Sequence, residues 1–138
     1  MRSVNKIIIH CSATAEGREV TVKEIDAWHR ARGYNGIGYH YVIYLDGTIH
    51  VGRPEERVGA HCKGYNSESI GICYIGGLNK KGQPEDTRTP EQKESLLKIL
   101  KELRLKYPQA RIFGHRDFAP KDCPCFEAQL EYEKAFSQ

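Results

Sequence analysis

Ile7-Ile8-Ile9 narrows the fold more than any other stretch of the chain. Side chains on a strand alternate between faces, so three consecutive apolar residues need cover on both sides. That is the signature of an interior strand in a sheet with helices packed on each face. The strand ends at His10. A second short apolar strand, Arg111-Ile112-Phe113, ends in the same way at Gly114-His115. In open α/β sheets ligands gather at the carboxyl ends of the strands, so two strand ends can present both imidazoles to one point.

The remaining pattern supplies the rest of such a fold. Thr21-Val22-Lys23-Glu24 has the form of a capping box. It predicts a helix with Val22, Ile25 and Trp28 at helical spacing that stops near Gly33. Residues 39–45 are β-branched and aromatic. Asp46-Gly47 predicts a two-residue turn, after which Thr48-Ile49-His50-Val51 returns as a hairpin. Residues 69–75 read as another interior strand, closed by Gly76-Gly77, and residues 79–88 as a polar surface loop. Thr89-Pro90-Glu91-Gln92 opens the clearest helix, with Leu96, Ile99, Leu100 and Leu103 as its core stripe. Residues 126–136 read as a final helix. The expected architecture is α/β: a single domain over residues 1–138, with a central mixed β-sheet flanked by helices and the site at the C-terminal edge of the strands.

Composition excludes several classes. The chain has 138 residues, 39% hydrophobic and 28% charged, which suits a globular protein with one core. A net charge of +3 without a dense basic run gives no reason to expect nucleic acid as a partner. No apolar run approaches a membrane span or a signal-peptide core. Synthesis in the cytoplasm and no membrane insertion are therefore expected, with monomer the default state at this size. Five cysteines, an odd number, argue against a disulfide framework.

Cys123 follows His115 by eight residues, in a proline-bounded loop. Two histidines and one thiol suit a catalytic zinc that keeps its fourth position open, where a structural zinc would use four protein ligands. Each residue alone would more simply be a core histidine or a buried thiol; together they make a candidate site. Lys121, two residues before Cys123, is placed to stabilise a developing oxyanion, although a solvated lysine is the ordinary alternative. Tyr39 could orient a water, or could simply pack. Glu24, Glu55 and Glu56 are weak candidates for a general base: Glu24 serves its cap, and the others sit in a charged loop. No His-Glu-x-x-His helix is present.

Taken in order, Ile9-His10-Cys11-Ser12-Ala13-Thr14, Glu24-Ile25-Asp26-Ala27-Trp28-His29, Gly38-Tyr39-His40-Tyr41, Asp46-Gly47-Thr48, Ala60-His61-Cys62-Lys63-Gly64-Tyr65-Asn66, Ser69-Ile70-Gly71-Ile72 and Ala119-Pro120-Lys121-Asp122-Cys123-Pro124 resemble the type 2 N-acetylmuramoyl-L-alanine amidases. That group includes phage amidases called lysozymes and the animal peptidoglycan recognition proteins. The resemblance implies one Zn2+ on His10, His115 and Cys123, assistance from Tyr39 and Lys121, and a substrate groove lined by His40, His61 and Asn66. The implied reaction hydrolyses the amide between N-acetylmuramic acid and L-alanine in peptidoglycan, as a phage or mobile-element lysis enzyme reaching the wall after release. A non-catalytic recognition module and a cytoplasmic amidase recycling soluble muropeptides are the alternatives; recognition modules typically lack the cysteine ligand. The chain departs from the family pattern at Cys125 and Cys62. Only nine residues precede His10, so the RNA polymerase regulation known from phage relatives with a longer arm is not expected.

Overall fold

The computed structural model describes residues 2–136. In chain order it contains β1 (Lys6–Cys11), β2 (Thr14–Ala15), α1 (Val22–Ala31), β3 (Tyr41–Ile43), β4 (Ile49–Val51), β5 (Ser69–Tyr74), β6 (Gly77–Leu78), α2 (Pro90–Lys106) and β7 (Arg111–Gly114). A π-helical turn, Gln129–Glu133, then leads into α3 (Lys134–Phe136). The main sheet has the order β4-β3-β5-β1-β7, and β2 and β6 form a separate pair. β1 runs parallel to β5 and β7, β3 runs parallel to β5, and β4 is antiparallel to β3. This is the mixed α/β sheet that the alternating pattern implies. Among the described residues no helix is long and apolar enough to cross a membrane.

β1 is interior, and Ile7, Ile8 and Ile9 are each 0% exposed, so both of its faces are covered. Ile7 and Ile9 join Ile70, Ile72 and Ile112 beneath the α2 stripe of Leu96, Ile99, Leu100 and Leu103. A smaller cluster of Val20, Ile25, Ile37, Val42 and Ile75 forms on the α1 side. Both helices begin in complete capping boxes, Thr21 with Glu24 and Thr89 with Gln92. Gln92 is fully buried and does more. Its Nε2 donates to the Ile43 and Ile75 carbonyls at 3.3 and 2.9 Å, tying the start of α2 to the ends of β3 and β5.

Four expectations are corrected. The hairpin loop is three residues long: Tyr44 N–H donates to Thr48 O and Gly47 N–H to Tyr44 O. Asp46 Oδ1 accepts from both the backbone and the hydroxyl of Thr48, and Gly47 takes φ +88°, so the turn carries an extra left-handed residue. Trp28 is exposed, with the Arg18 guanidinium 5.6 Å from its ring, and His29 takes the buried place on α1. The final helix is shorter than residues 126–136, because Phe126 and Ala128 turn into the core ahead of it. Arg88 is not on the surface.

The Arg88 side chain is 1% exposed and pairs with Asp86 at 2.9 Å and Glu131 at 2.8 Å. It also donates to the Tyr132 hydroxyl at 2.7 Å and lies 3.4 Å from the Phe126 ring centroid. Desolvation opposes that charge, and the two carboxylates more than offset it, so its pKa is raised. One guanidinium thereby fastens the C-terminal segment to the loop before α2. Arg88→Met is expected to lower unfolding free energy by roughly 2–3 kcal/mol, the low end for a broken buried pair because both carboxylates keep some solvent. Urea denaturation measures it.

Candidate active site

β1 delivers His10 one residue before its end, and β7 ends at Gly114 so that His115 opens a short 3-10 turn, His115–Asp117. Asp117 Oδ2 accepts the Gly114 N–H at 2.8 Å and fixes the start of that turn. The chain then loops back. Arg116 N–H donates to Cys123 O at 2.8 Å, and the buried Tyr74 hydroxyl of β5 donates to Pro124 O at 2.7 Å. A Cβ on Gly114 would lie 2.7 Å from Pro124 Cδ, so glycine lets the loop close against β7. His10, His115 and Cys123 consequently converge, each offering one ligand atom, with these atoms all within 4.8 Å of one another.

The donor set fits a borderline-soft divalent ion, and its surroundings suit one. Burial first, then the nearby imidazoles and Lys121, hold His10 well below its ordinary pKa and so neutral, the state a metal ligand needs. The backbone N–H of Cys11 donates to Cys123 Sγ at 3.2 Å and fixes the position of the sulfur. Of the other thiols, Cys11 is the nearest: its side chain hydrogen-bonds that of Cys123, and it edges the same cleft. Cys11 packs into the α2-side core, Cys62 and Cys73 are buried, and Cys125 Sγ lies 3.4 Å from Gly77 O.

A cleft of about 850 Å³ opens over the triad, and Tyr39, His61, Asn66, His115, Lys121 and Cys123 are among its walls. α1 positions Tyr39. Asp26 Oδ1 accepts Ile37 N–H at 2.7 Å and His29 Nδ1 accepts Gly38 N–H at 2.9 Å, so the chain enters β3 along a fixed path. The Tyr39 ring sits 5.1 Å from that of His10, and burial raises its pKa well above that of a free phenol. Asn66 reaches the cleft, but its Oδ1 also accepts from the N–H groups of His61 and Cys62, both at 2.9 Å, and so folds the loop 61–66. His40 stands elsewhere. It is 0% exposed; its Nδ1 accepts Gly71 N–H at 3.0 Å and its Nε2 lies 2.8 Å from Arg57 O. Its ring serves the backbone, and the alternation of side chains that brings Tyr39 to the cleft turns His40 away.

Among the described residues no carboxylate lines the cleft, whereas Arg32, Lys63 and Lys121 do. Glu55 is held by the Tyr41 and Tyr107 hydroxyls and by Lys106 at 2.9 Å. Sequence reasoning overlooked Asp26 and His29 as supports of Tyr39. Their i, i+3 spacing on the helix that precedes the Gly-rich segment was the available signal.

The N-acetylmuramoyl-L-alanine amidase family pattern matches residues 1–126. The chain belongs to that family. An endolysin of Enterobacteria phage K11 is 46% identical to the amidase over 128 residues, 93% of this chain and 85% of the phage protein. The solved N-acetylmuramoyl-L-alanine amidase LysC from Clostridium intestinale URNW resembles it with a TM-score of 0.82 at 34% identity, covering 97% of this chain and 85% of that one. A peptidoglycan recognition protein ectodomain complex, solved with tracheal cytotoxin bound, resembles it with a TM-score of 0.75 at 30% identity, covering 90% and 77%. The amidase is thus an enzyme of phage endolysin type, hydrolysing the amide between N-acetylmuramic acid and L-alanine in peptidoglycan.

Tyr74 is the link between sheet and ligand loop. Tyr74→Phe removes the only side-chain donor to Pro124 O seen among the described residues. It is expected to destabilise the fold by about 1–2 kcal/mol, and hydrogen exchange should show faster opening of the Arg116 and Cys125 amides.

Proposed function

We propose that the amidase is zinc-dependent, with one Zn2+ held by His10, His115 and Cys123, and that residues 1–138 act as a single, monomeric catalytic domain. The convergence of two imidazoles and one thiol at the floor of the cleft carries this reading. When bound, zinc supplies Lewis acidity, polarising a carbonyl and lowering the pKa of water from 15.7 to roughly 7. Three protein ligands leave a coordination position for such chemistry.

The chain's own side chains do the rest. Tyr39 hydrogen-bonds the attacking water and orients it toward the muramyl carbonyl. Lys121 brings a positive charge to the carbonyl oxygen as it becomes an oxyanion. Arg32 and Lys63, on the same cleft, suit the carboxylates of a stem peptide. Loop 61–66, folded by Asn66, forms one wall of the groove. Cationic walls without carboxylates favour an anionic peptide, and Tyr39, kept a neutral phenol by burial, orients the water without taking its proton. We assign the enzyme to intact cell wall, reached after release through a pore made by another protein.

Three experiments test this reading. Zinc-loaded protein should release stem peptides with free N-terminal alanine from purified sacculi, identified by mass spectrometry. A chelator should stop the release and zinc should restore it. Cys123→Ser should lose zinc and activity together. Lys121→Ala should retain zinc while kcat falls by about 10²–10³, the scale of a lost oxyanion contact. A Lys121→Ala enzyme with ordinary kcat removes that residue from the mechanism.

A further inference from the structure

We propose that His61 is a positioning residue for the metal centre: it accepts a proton-bearing hydrogen bond from His10 Nε2 and relays that constraint to Ser69 Oγ. The inference rests on the zinc reading and assigns a role to a residue otherwise counted as cleft wall.

Register sets the geometry. Lys6 pairs with Ser69, Ile8 with Gly71 and His10 with Cys73. Alternation puts all six on one face of the β1–β5 ribbon. The His61 ring lies across that face, with Nδ1 2.8 Å from His10 Nε2 and Nε2 3.2 Å from Ser69 Oγ. Two glycines leave it room. A Cβ on Gly71 would fall 2.6 Å from the ring and one on Gly59 would fall 2.7 Å from it. The ring planes of His10 and His61 cross at 90° with centroids 4.9 Å apart, so the rings meet edge-on and do not stack. Loop 61–66 is fixed in turn by Asn66, so the ring is held from its backbone as well.

Proton counting gives the contact a direction. A neutral imidazole carries one N–H. With Nε2 of His10 engaged by His61, Nδ1 is the nitrogen left for a metal, and the metal-facing nitrogen must be bare. His10 therefore carries its proton on Nε2 and donates it. His61 Nδ1 accepts, so the His61 proton sits on Nε2 and points to Ser69 Oγ. The reverse arrangement puts the His10 proton on the nitrogen the metal needs. Second partners of this kind fix the tautomer and ring orientation of ligating histidines and typically govern 10–100-fold of metal affinity. Here the partner is an imidazole backed by a serine, in a place where carboxylates and carbonyls are common.

The test is zinc affinity by chelator competition on the whole protein, together with the visible spectrum of the cobalt-substituted form. His61→Ala is expected to weaken zinc binding 10–100-fold and to shift the cobalt spectrum. His61→Asn offers Oδ1 near the place of Nδ1 and should recover most of the affinity, which a merely space-filling role would not predict. Ser69→Ala should weaken binding by less than tenfold. Melting of the metal-free proteins separates loss of fold from loss of metal. Zinc affinity of His61→Ala within twofold of wild type, or His61→Asn as weak as His61→Ala, overturns the proposal. Wild type that fails to bind zinc, or Cys123→Ser that still binds it, overturns the zinc reading itself.

Discussion

Burial of β1 on both faces is the constraint from which the site follows. Each fully buried isoleucine contributes roughly 1.5–3 kcal/mol, and three in succession hold the strand between β5 and β7. A one-residue slip would exchange the faces of the whole strand, exposing the core set and moving His10 to the α2 side. The register that satisfies Ile7 and Ile9 therefore also aims His10 at the cleft. Hydrophobic packing, which has no directional chemistry of its own, fixes the position of the most buried candidate ligand.

The other groups arrive on loops, and each loop is tied to a rigid element by one or two specific hydrogen bonds. Tyr39 is held from α1 through Asp26 and His29, and the Cys123 loop from β5 through Tyr74. Loop 61–66 is closed by Asn66 and pressed onto Gly71. Close approach is bought with glycine at the crossing points: Gly38 lies against Ala60, Gly71 beneath His61 and Gly114 against Pro124. Polar contacts set direction, while the sheet beneath supplies rigidity. The result is a cationic groove above a neutral histidine and a thiol, the arrangement on which the zinc proposal rests.

Much of this was legible in the sequence because it rests on local rules. The strand-end histidines, the Thr21 capping box, the proline-led start of α2 and its apolar stripe follow from alternation, cap chemistry and helical period, and all appear where the pattern puts them. What was not legible depends on distant partners. Arg88 sits in a polar stretch, and only the fold brings Glu131 and Tyr132 around it. Trp28 and His29 are adjacent on α1, and the turn of the helix relative to β3 decides which is buried. His40 follows Tyr39 in a motif resembling substrate-binding segments, yet the pleat sends its ring to the backbone of Gly71. The His10–His61 contact spans 51 residues, and no local spacing announces it.

X-ray absorption at the zinc edge on protein purified with one equivalent of zinc addresses the central claim most directly. The account predicts a four-coordinate ion with a single sulfur near 2.3 Å and nitrogen or oxygen neighbours near 2.0–2.1 Å, the imidazole signature lost in part with His115→Ala and the sulfur lost with Cys123→Ser. Two or more sulfurs would place Cys11 or Cys125 in the shell. A shell without sulfur would show that zinc is not held at this triad.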